Sequence, residues 1–348
     1  TKSGNIILTI EDLTGRVNVL INKNKKDIYD DAKLVVFDEV VGVRGLIKNN
    51  IIFVDNLLFP DIPIKKELKK TNELVYAAFT SDLHIGNKMF LEKEFLRFIN
   101  WLNGEIGDDS QKEIAKNIKY LFIVGDVVDG VGVHPEQDEE LEIKDITQQY
   151  QKCAELLKKI RSDINIIICG GQHDALRLAE PQPPLDKNFA GPLYELKNVY
   201  LVNNPSYINI NSSDNFEGFD VLIYHGASFH YYIDNIEFLR LNKARDNPHL
   251  ILKFLLQKRH LAPTHESSLF IPDINEDFLI INKIPDIFVA GEMHRSDNYL
   301  YNNVTLINCS CWQAKTKYQE KTGNNPDPCK VPIINLKTRE IKIMKFGE

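Results

Sequence analysis

Five short stretches of the sequence carry residue types that bind metal ions or move protons. They are Ser81-Asp82-Leu83-His84, Gly125-Asp126-Val127-Val128-Asp129-Gly130, Gly170-Gly171-Gln172-His173-Asp174, His225-Gly226 and Gly291-Glu292-Met293-His294. Carboxylate and imidazole together suit Mn²⁺, Fe or Zn²⁺, and carboxylate oxygens suit Mn²⁺ or Mg²⁺. Neighbouring glycines let the backbone turn sharply and bring donors close together. One Asp-x-His pair alone is weak evidence, because a single His is more often a packed or surface residue than a ligand. The weight lies in five such stretches occurring in register with five apolar runs.

Those runs supply the positioning. Apolar segments of strand length at residues 74–80, 120–124, 164–169 and 221–224 end immediately before four of the stretches, and 287–289 ends just before the fifth. In open α/β sheets, ligands bind beyond the carboxyl ends of the strands, so loops at one sheet edge would converge on one spot. Residues 92–102 have helical spacing at Phe95, Phe98, Ile99 and Leu102, and 146–160 reads as a helix with charged and apolar faces. Further short strands at 199–202 and 304–307 complete an α/β pattern over residues 74–348.

Residues 1–60 read differently, as strands with little helix. Strands are expected at 5–11, 17–21, 34–47 and 51–55, with Thr14-Gly15 and Asn49-Asn50 as turns. Gly42 and Gly45 inside the long strand suit a bulge or barrel bend. Short twisted strands of this kind suggest a small Greek-key barrel of the OB type, with a small β-sandwich as the alternative. Residues 61–73 hold Pro63, Lys65, Lys66, Lys69 and Lys70 and read as a linker, a solvated charged connector in preference to a DNA contact.

Composition sets the outer bounds. With 348 residues, 43% hydrophobic and 26% charged, core size is no limitation. No window approaches the ~18 apolar residues of a membrane span, so no membrane partner is expected. Five cysteines, an odd count without framework spacing, fit a reducing cytoplasm. Cys309 and Cys311 lack a second pair to complete a zinc site and read as ordinary thiols. The net charge of −7 disfavours whole-surface DNA binding and predicts weak, salt-sensitive binding by the isolated chain. The chain starts at Thr1, which raises the expectation of missing upstream sequence.

The ordered set of motifs resembles the calcineurin-like metallophosphoesterase superfamily from Phe79 to about Trp312. The resemblance implies a metallophosphoesterase β-sandwich flanked by helices, an α/β fold, holding two divalent ions. Carried over residue by residue, one ion falls to Asp82, His84, Asp126 and His294, with Asp126 bridging to a second ion at Gln172, His225 and Glu292. His173 falls on the catalytic imidazole, and Asp174 would orient its ring. Two positions depart from the pattern: Gln172 stands where Asn is expected, and Glu292 where a His is expected. Both offer oxygen, which favours Mn²⁺ or Mg²⁺ at the second position over softer ions; a weakened or empty second site is the competing reading. Mn²⁺ is the first choice overall, with Mg²⁺, Fe and Zn²⁺ as alternatives.

A narrower resemblance rests on residues 126–137 (DVVDGVGVHPEQ), 171–183 (GQHDALRLAEPQP), 258–264 (KRHLAPT) and 311–316 (CWQAKT). With the OB-like region in front, these are similar to the exonuclease small subunits of archaeal family-D DNA polymerases. That resemblance implies metal-dependent 3′→5′ exonuclease proofreading, single-stranded DNA 3′ ends as substrate, a large catalytic polymerase subunit as partner, and a missing N-terminal region; a sliding clamp is a further candidate partner. Related accessory subunits without activity lack the ligands, whereas Asp82, His84, Asp126, His173, His225 and His294 are present here. The alternatives are a noncatalytic scaffold, supported by Gln172 and Glu292, and a small-molecule phosphatase or cyclic-nucleotide phosphodiesterase.

Several residues have two readings. Asp129 supports the metal ligands or caps the following loop. His134 approaches substrate or is an exposed loop residue. Arg177, one helical turn after His173 if a helix starts there, grips a phosphate or pairs with Glu180. Lys258, Arg259 and His260 form a basic run that positions DNA backbone or ends a solvated helix. Trp312 packs in the core in preference to stacking a terminal base. His230, His249 and His265 have no place in the motif set.

Overall fold

The computed structural model describes residues 1–64, 66–322 and 324–347. In chain order the strands are β1 (Ile6–Asp12), β2 (Gly15–Ile21), β3 (Gly42–Lys48), β4 (Ile51–Leu58), β5 (Tyr76–Thr80), β6 (Ile118–Val124), β7 (Asn165–Cys169), β8 (Val199–Leu201), β9 (Ser206–Ile210), β10 (Phe219–Tyr224), β11 (Ile287–Ala290), β12 (Asp297–Tyr301), β13 (Val304–Asn308), β14 (Lys330–Asn335) and β15 (Ile341–Lys345). They form a four-stranded sheet, β1-β2-β4-β3, and two larger ones, β15-β14-β5-β6-β7-β8 and β12-β13-β11-β10-β9.

The two larger sheets pack face to face, and the pleat sorts their residues. Phe122 and Val124 of β6 join Phe79, Val221, Ile223, Val289 and Ile307 in the layer between the sheets. Leu121 and Ile123, pointing the other way, meet Phe95, Phe98 and Tyr150 from the helices Glu92–Leu102 and Ile146–Leu157. On the far side, Leu222, Tyr224 and Phe288 meet Phe229 and Leu255 from the helices Phe229–Asn235 and His249–Lys258. Strands covered on both faces read as near-continuous apolar runs, as at residues 120–124 of β6 and 221–224 of β10. Each fully buried Phe contributes about 1.5–3 kcal/mol of transfer free energy. β5 to β8 run parallel, as do β10, β11 and β13, so their carboxyl ends gather at one edge. Trp312 sits in this core, stacked on Phe98, with Nε1–H donating to Thr80 Oγ1 at 2.6 Å. All five cysteines are buried free thiols.

The N-terminal sheet keeps the Asn49-Asn50 hairpin, both residues in the left-handed region at φ 51° and 58°, and a bulge at Arg44/Gly45. A Cβ at Gly45 would lie 2.1 Å from the Phe53 carbonyl oxygen. The long strand expected at 34–47 is a correction: the strand begins only at Gly42, and a helix, Lys26–Ala32, precedes it. Four of the apolar residues before Gly42 serve tertiary contacts instead: Val35 and Val41 pack in the N-terminal core, and Leu34 and Val36 elsewhere. Leu34 and Val36 pack against the cluster around helix His249–Lys258, and the Leu34 and Phe37 carbonyls accept bonds from Lys258 Nζ and Thr264 Oγ1.

The expected solvated connector is docked. Ile62 is buried, Lys66 Nζ lies 2.6 Å from Asp286 Oδ1, and Lys69 Nζ lies 3.2 Å from Asp286 Oδ2. Lys65 lies outside the described residues. Among the described residues, no helix is long and apolar enough to cross a membrane.

Candidate metal centre

All five motif stretches meet where β5, β6, β7, β10 and β11 end. The backbone there is strained in one consistent way: Asp82, His84, Asp126, Glu292 and His294 have φ between 49° and 66°. The left-handed region costs a residue with a Cβ roughly 1–2 kcal/mol. Glycine would relieve that cost, so the side chains are what these positions require. At Gly171 the opposite holds: a Cβ would lie 2.3 Å from Asp126 Oδ1 and 2.7 Å from His225 Cδ2.

Each ligand candidate has one atom held by the protein and another facing a shared space. Asp82 Oδ2 accepts from Ser81 Oγ–H and from the Glu292 N–H, leaving Oδ1 3.2 Å from His294 Nε2 and 3.9 Å from His225 Nε2. Asp126 Oδ1 accepts from the His173 N–H at 2.8 Å, and Oδ2 lies 3.2 Å from His225 Nε2 and 3.9 Å from His84 Nε2. His84 Nδ1–H donates to Asp129 Oδ1 at 3.0 Å, and His225 Nδ1–H to the Val124 carbonyl at 2.8 Å. His294 Nδ1 lies 2.9 Å from Gln319 Nε2. Fixing Nδ1 in this way aims Nε2 at the centre, the usual arrangement of ligating imidazoles. Asp82, His84 and His294 form one group of donor atoms within 4.8 Å of one another, and Asp82, Asp126 and His225 form a second.

The donor set fits cations. Asp82 Oδ1, His84 Nε2, Gln172 Oε1 and His225 Nε2 are buried and lack hydrogen-bond partners, a costly arrangement unless something else satisfies them. Burial opposes ionisation of Asp126, yet His225, His173 and His84 hold its carboxyl far below the usual range. Burial also opposes a charge on His225, but Asp126, Glu292 and Asp82 push its pKa well up. Carboxylates and imidazoles here compensate one another, and a divalent ion would do so more fully.

Asp129 holds the ligand candidate His84, in line with the first of its two readings. Besides His84 it accepts from Asn87 Nδ2 and Gln137 Nε2. The close group His84, Asp129 and His173 is accounted for by these hydrogen bonds. His173 Nδ1–H donates to the Asp129 carbonyl at 2.8 Å, leaving Nε2 as its other nitrogen. The orienting role expected of Asp174 therefore falls to Asp129. Asp174 instead accepts from the N–H groups of Gly171 and Val127 and from Tyr150 Oη–H, pinning two of the motif loops together; burial pushes its pKa up to about 6.

A cavity of about 530 Å³ opens over the centre, lined by His84, Asp126, Gln172, His173, Glu292 and His294. His134 lines it too, its ring 6.4 Å from that of His173. Two expected substrate residues are corrections. Arg177 is exposed, lies in a loop with no helix after His173, and donates to the Pro181 carbonyl, not to Glu180. Arg259 caps helix His249–Lys258 and donates to the Ile281 and Asn282 carbonyls. His260 pairs with Asp277 at 2.9 Å. Neither arginine borders the cavity; Arg245 and Arg295 do, with Asn324 and Asn325. His230, unplaced from sequence, also lines it, as the second residue of the helix that follows β10. Its position shortly after a motif strand was the available signal; nothing in the sequence marked Arg245.

Comparison with known proteins follows the same line. The family model for the DNA polymerase alpha/epsilon B-subunit matches residues 77–298. The DNA polymerase II small subunit of Methanothermobacter thermautotrophicus is 35% identical over 347 residues, covering 100% of this chain and 69% of that protein. The chain belongs to this polymerase small-subunit family. The small subunit from Pyrococcus furiosus is 38% identical over 345 residues, covering 98% of this chain and 54% of that protein. The chain thus spans about half the length of the Pyrococcus relatives it matches. Among solved structures, a novel archaeal phosphodiesterase aligns with TM-score 0.37 and 13% identity, over 78% of this chain and 99% of that one. A phosphoesterase from E. coli aligns with TM-score 0.34 and 12% identity, over 78% and 100%. The fold of this family member is an α/β sandwich of two sheets flanked by helices, with a small N-terminal β-sheet.

Proposed function

We propose that the chain is a metal-dependent phosphodiesterase acting as a 3′→5′ exonuclease on single-stranded DNA ends, within the small subunit of a replicative polymerase. The observation that carries this reading is the set of buried, unpartnered donor atoms of Asp82, His84, Gln172 and His225 gathered where β5, β7 and β10 end. Asp82, His84, Asp126 and His294 would hold one divalent ion, and Asp126, Gln172, His225 and Glu292 the other, with Mn²⁺ as the first choice. A bound pair of such ions supplies a water nucleophile usable at neutral pH and neutralises charge on the phosphoryl oxygens.

The chain's own groups do the rest. His173, fixed through Nδ1, presents Nε2 to a phosphate oxygen or to the departing sugar oxygen. Burial lowers its proton affinity, but Asp126, the Asp129 carbonyl and the Asp129 carboxylate outweigh this and favour the protonated ring. Such a ring can donate to the leaving oxygen. The large polymerase subunit is the proposed partner, with a sliding clamp as a second, and the N-terminal sheet is read as an OB module. Gln172 and Glu292 favour a second reading, a scaffold with a weakened site. A time course on 5′-end-labelled single-stranded DNA with Mn²⁺ separates the two. A descending ladder, lost in Asp126→Ala and His173→Ala, supports the exonuclease; intact DNA with one Mn²⁺ or fewer bound supports the scaffold.

A further inference from the structure

Gln172 and Glu292, the two positions that depart from the phosphoesterase motifs, touch each other. Gln172 Nε2–H donates to Glu292 Oε2 at 2.9 Å. That bond fixes the amide so that Oε1, buried and without a partner, is its free atom. Glu292 Oε2 also lies 3.3 Å from His225 Nε2. The other carboxylate oxygen, Oε1, is engaged from outside: His230 Nε2–H donates to it at 3.0 Å. His230 Nδ1 in turn accepts from Arg245 Nη1–H at 3.2 Å, and Arg245 Nη2–H donates to Asp234 Oδ1 at 2.7 Å. Every donor and acceptor in this row is consistent with one His230 tautomer, protonated on Nε2. Asp234 and His230 share one helix, Phe229–Asn235, four residues apart.

We infer that Gln172, Glu292 and His230 act as one unit: Glu292 replaces an imidazole as an oxygen ligand for the second ion, and His230, steadied by Arg245, is the residue that positions it. A carboxylate has rotational freedom that a ring tethered through Nδ1 lacks. A donor on its outer oxygen removes that freedom, which is the work a backbone carbonyl does for His225. The longer Gln172 side chain then has a reason: it reaches Glu292 with its amide hydrogen and still offers its oxygen. Two carboxylates and an amide oxygen around the second position favour Mn²⁺ over Zn²⁺.

This inference rests on the two-ion reading above. It is tested by calorimetric titration of the full chain with Mn²⁺, with metal content measured after desalting. The expected result is two ions in the wild type. His230→Ala should weaken the second by about 10–100-fold, the range for partners of ligands, with the first unchanged. His230→Gln, which keeps an N–H donor, should recover most of the loss. In the double variant Gln172→Asn/Glu292→His, His230→Ala should have no effect, and Zn²⁺ should gain on Mn²⁺ at the second position. Equal losses from His230→Ala in both backgrounds, or none in the wild type, would overturn the unit while leaving the two-ion reading intact. A wild type that binds one ion or none would overturn both. Thermal melts of each variant in EDTA establish that the comparison is between folded chains; His230 is partly exposed, and Gln at this position is the substitution that retains the fold if Ala does not.

Discussion

Lys258 and Asp126 are both buried charges, at 4% and 3% exposure, and their surroundings differ. Lys258 stands where the N-terminal module meets helix His249–Lys258. Its ammonium donates to Glu39 and to the Leu34 carbonyl and sits 3.7 Å above the Phe59 ring. Its hydrogen-bonding is spent on groups that belong to one joint. Burial still lowers its pKa, to about 8, and raises that of Glu39. Asp126 faces several imidazoles across a space where donor atoms go unpartnered, on a backbone strained at five positions. A closed set of partners marks a structural charge. An open set, held in place by other bonds, marks a site built for something that binds.

The largest expected effects test the open set. On the exonuclease reading proposed above, His173→Ala should lower the nuclease rate by about 10²–10⁴-fold, the range for a general acid or base, while Mn²⁺ stoichiometry stays as in the wild type. A fall in stoichiometry would make His173 a ligand instead. Asp126→Ala should lose ions and activity together, read by metal analysis beside the same assay.

The closed set is tested next. Lys258→Met should destabilise the chain by about 3–5 kcal/mol in urea unfolding, because it strands Glu39. Lys258→Met with Glu39→Leu should recover most of that loss. If the double variant is no better than the single, the pair is worth more than its burial cost and the comparison with Asp126 weakens.

Glu180 offers a pH test between these extremes. Burial raises its carboxyl to about 7, against the partial help of Ser268 and Tyr224. The native state therefore keeps a proton that the unfolded chain has released. The stabilisation is complete below about pH 4.5 and is lost as pH rises through about 7. From one pKa unit being 1.36 kcal/mol, the loss is on the order of 3 kcal/mol. Urea midpoints of the wild type should fall relative to Glu180→Gln over that interval; parallel curves would mean that Glu180 is ionised when folded. The smallest effect belongs to Arg177→Ala. With its guanidinium on the Pro181 carbonyl, nuclease rate should change less than about twofold, inside the scatter of surface substitutions. A tenfold loss would return Arg177 to the site.

Much of this was legible in the chain. A short apolar run with β-branched residues, such as Leu121, Phe122, Ile123 and Val124, fits a strand covered on both faces, and the Asp, His and Glu that follow parallel strands of this kind sit at one edge. What misled was local resemblance between structural and functional charge. Lys258-Arg259-His260 reads like a DNA contact because sequence does not say that Glu39 and Ile281 lie beside it. Residues 34–41 read as a strand because they are rich in apolar side chains, yet Leu34 and Val36 serve a neighbouring helix and Val35 and Val41 the N-terminal core rather than a ladder.

The sequence by itself determined the strands that precede the five motif stretches, their shared edge and the types of the ligand candidates, since these follow from periodicity and from what each side chain can donate. Tertiary structure alone decided which atom of each ligand candidate is free, that Asp129 rather than Asp174 holds His173, and that His230 and Arg245 stand behind Glu292. Hydrogen bonds between residues from 44 to 62 positions apart depend on how loops land, and no local pattern encodes that.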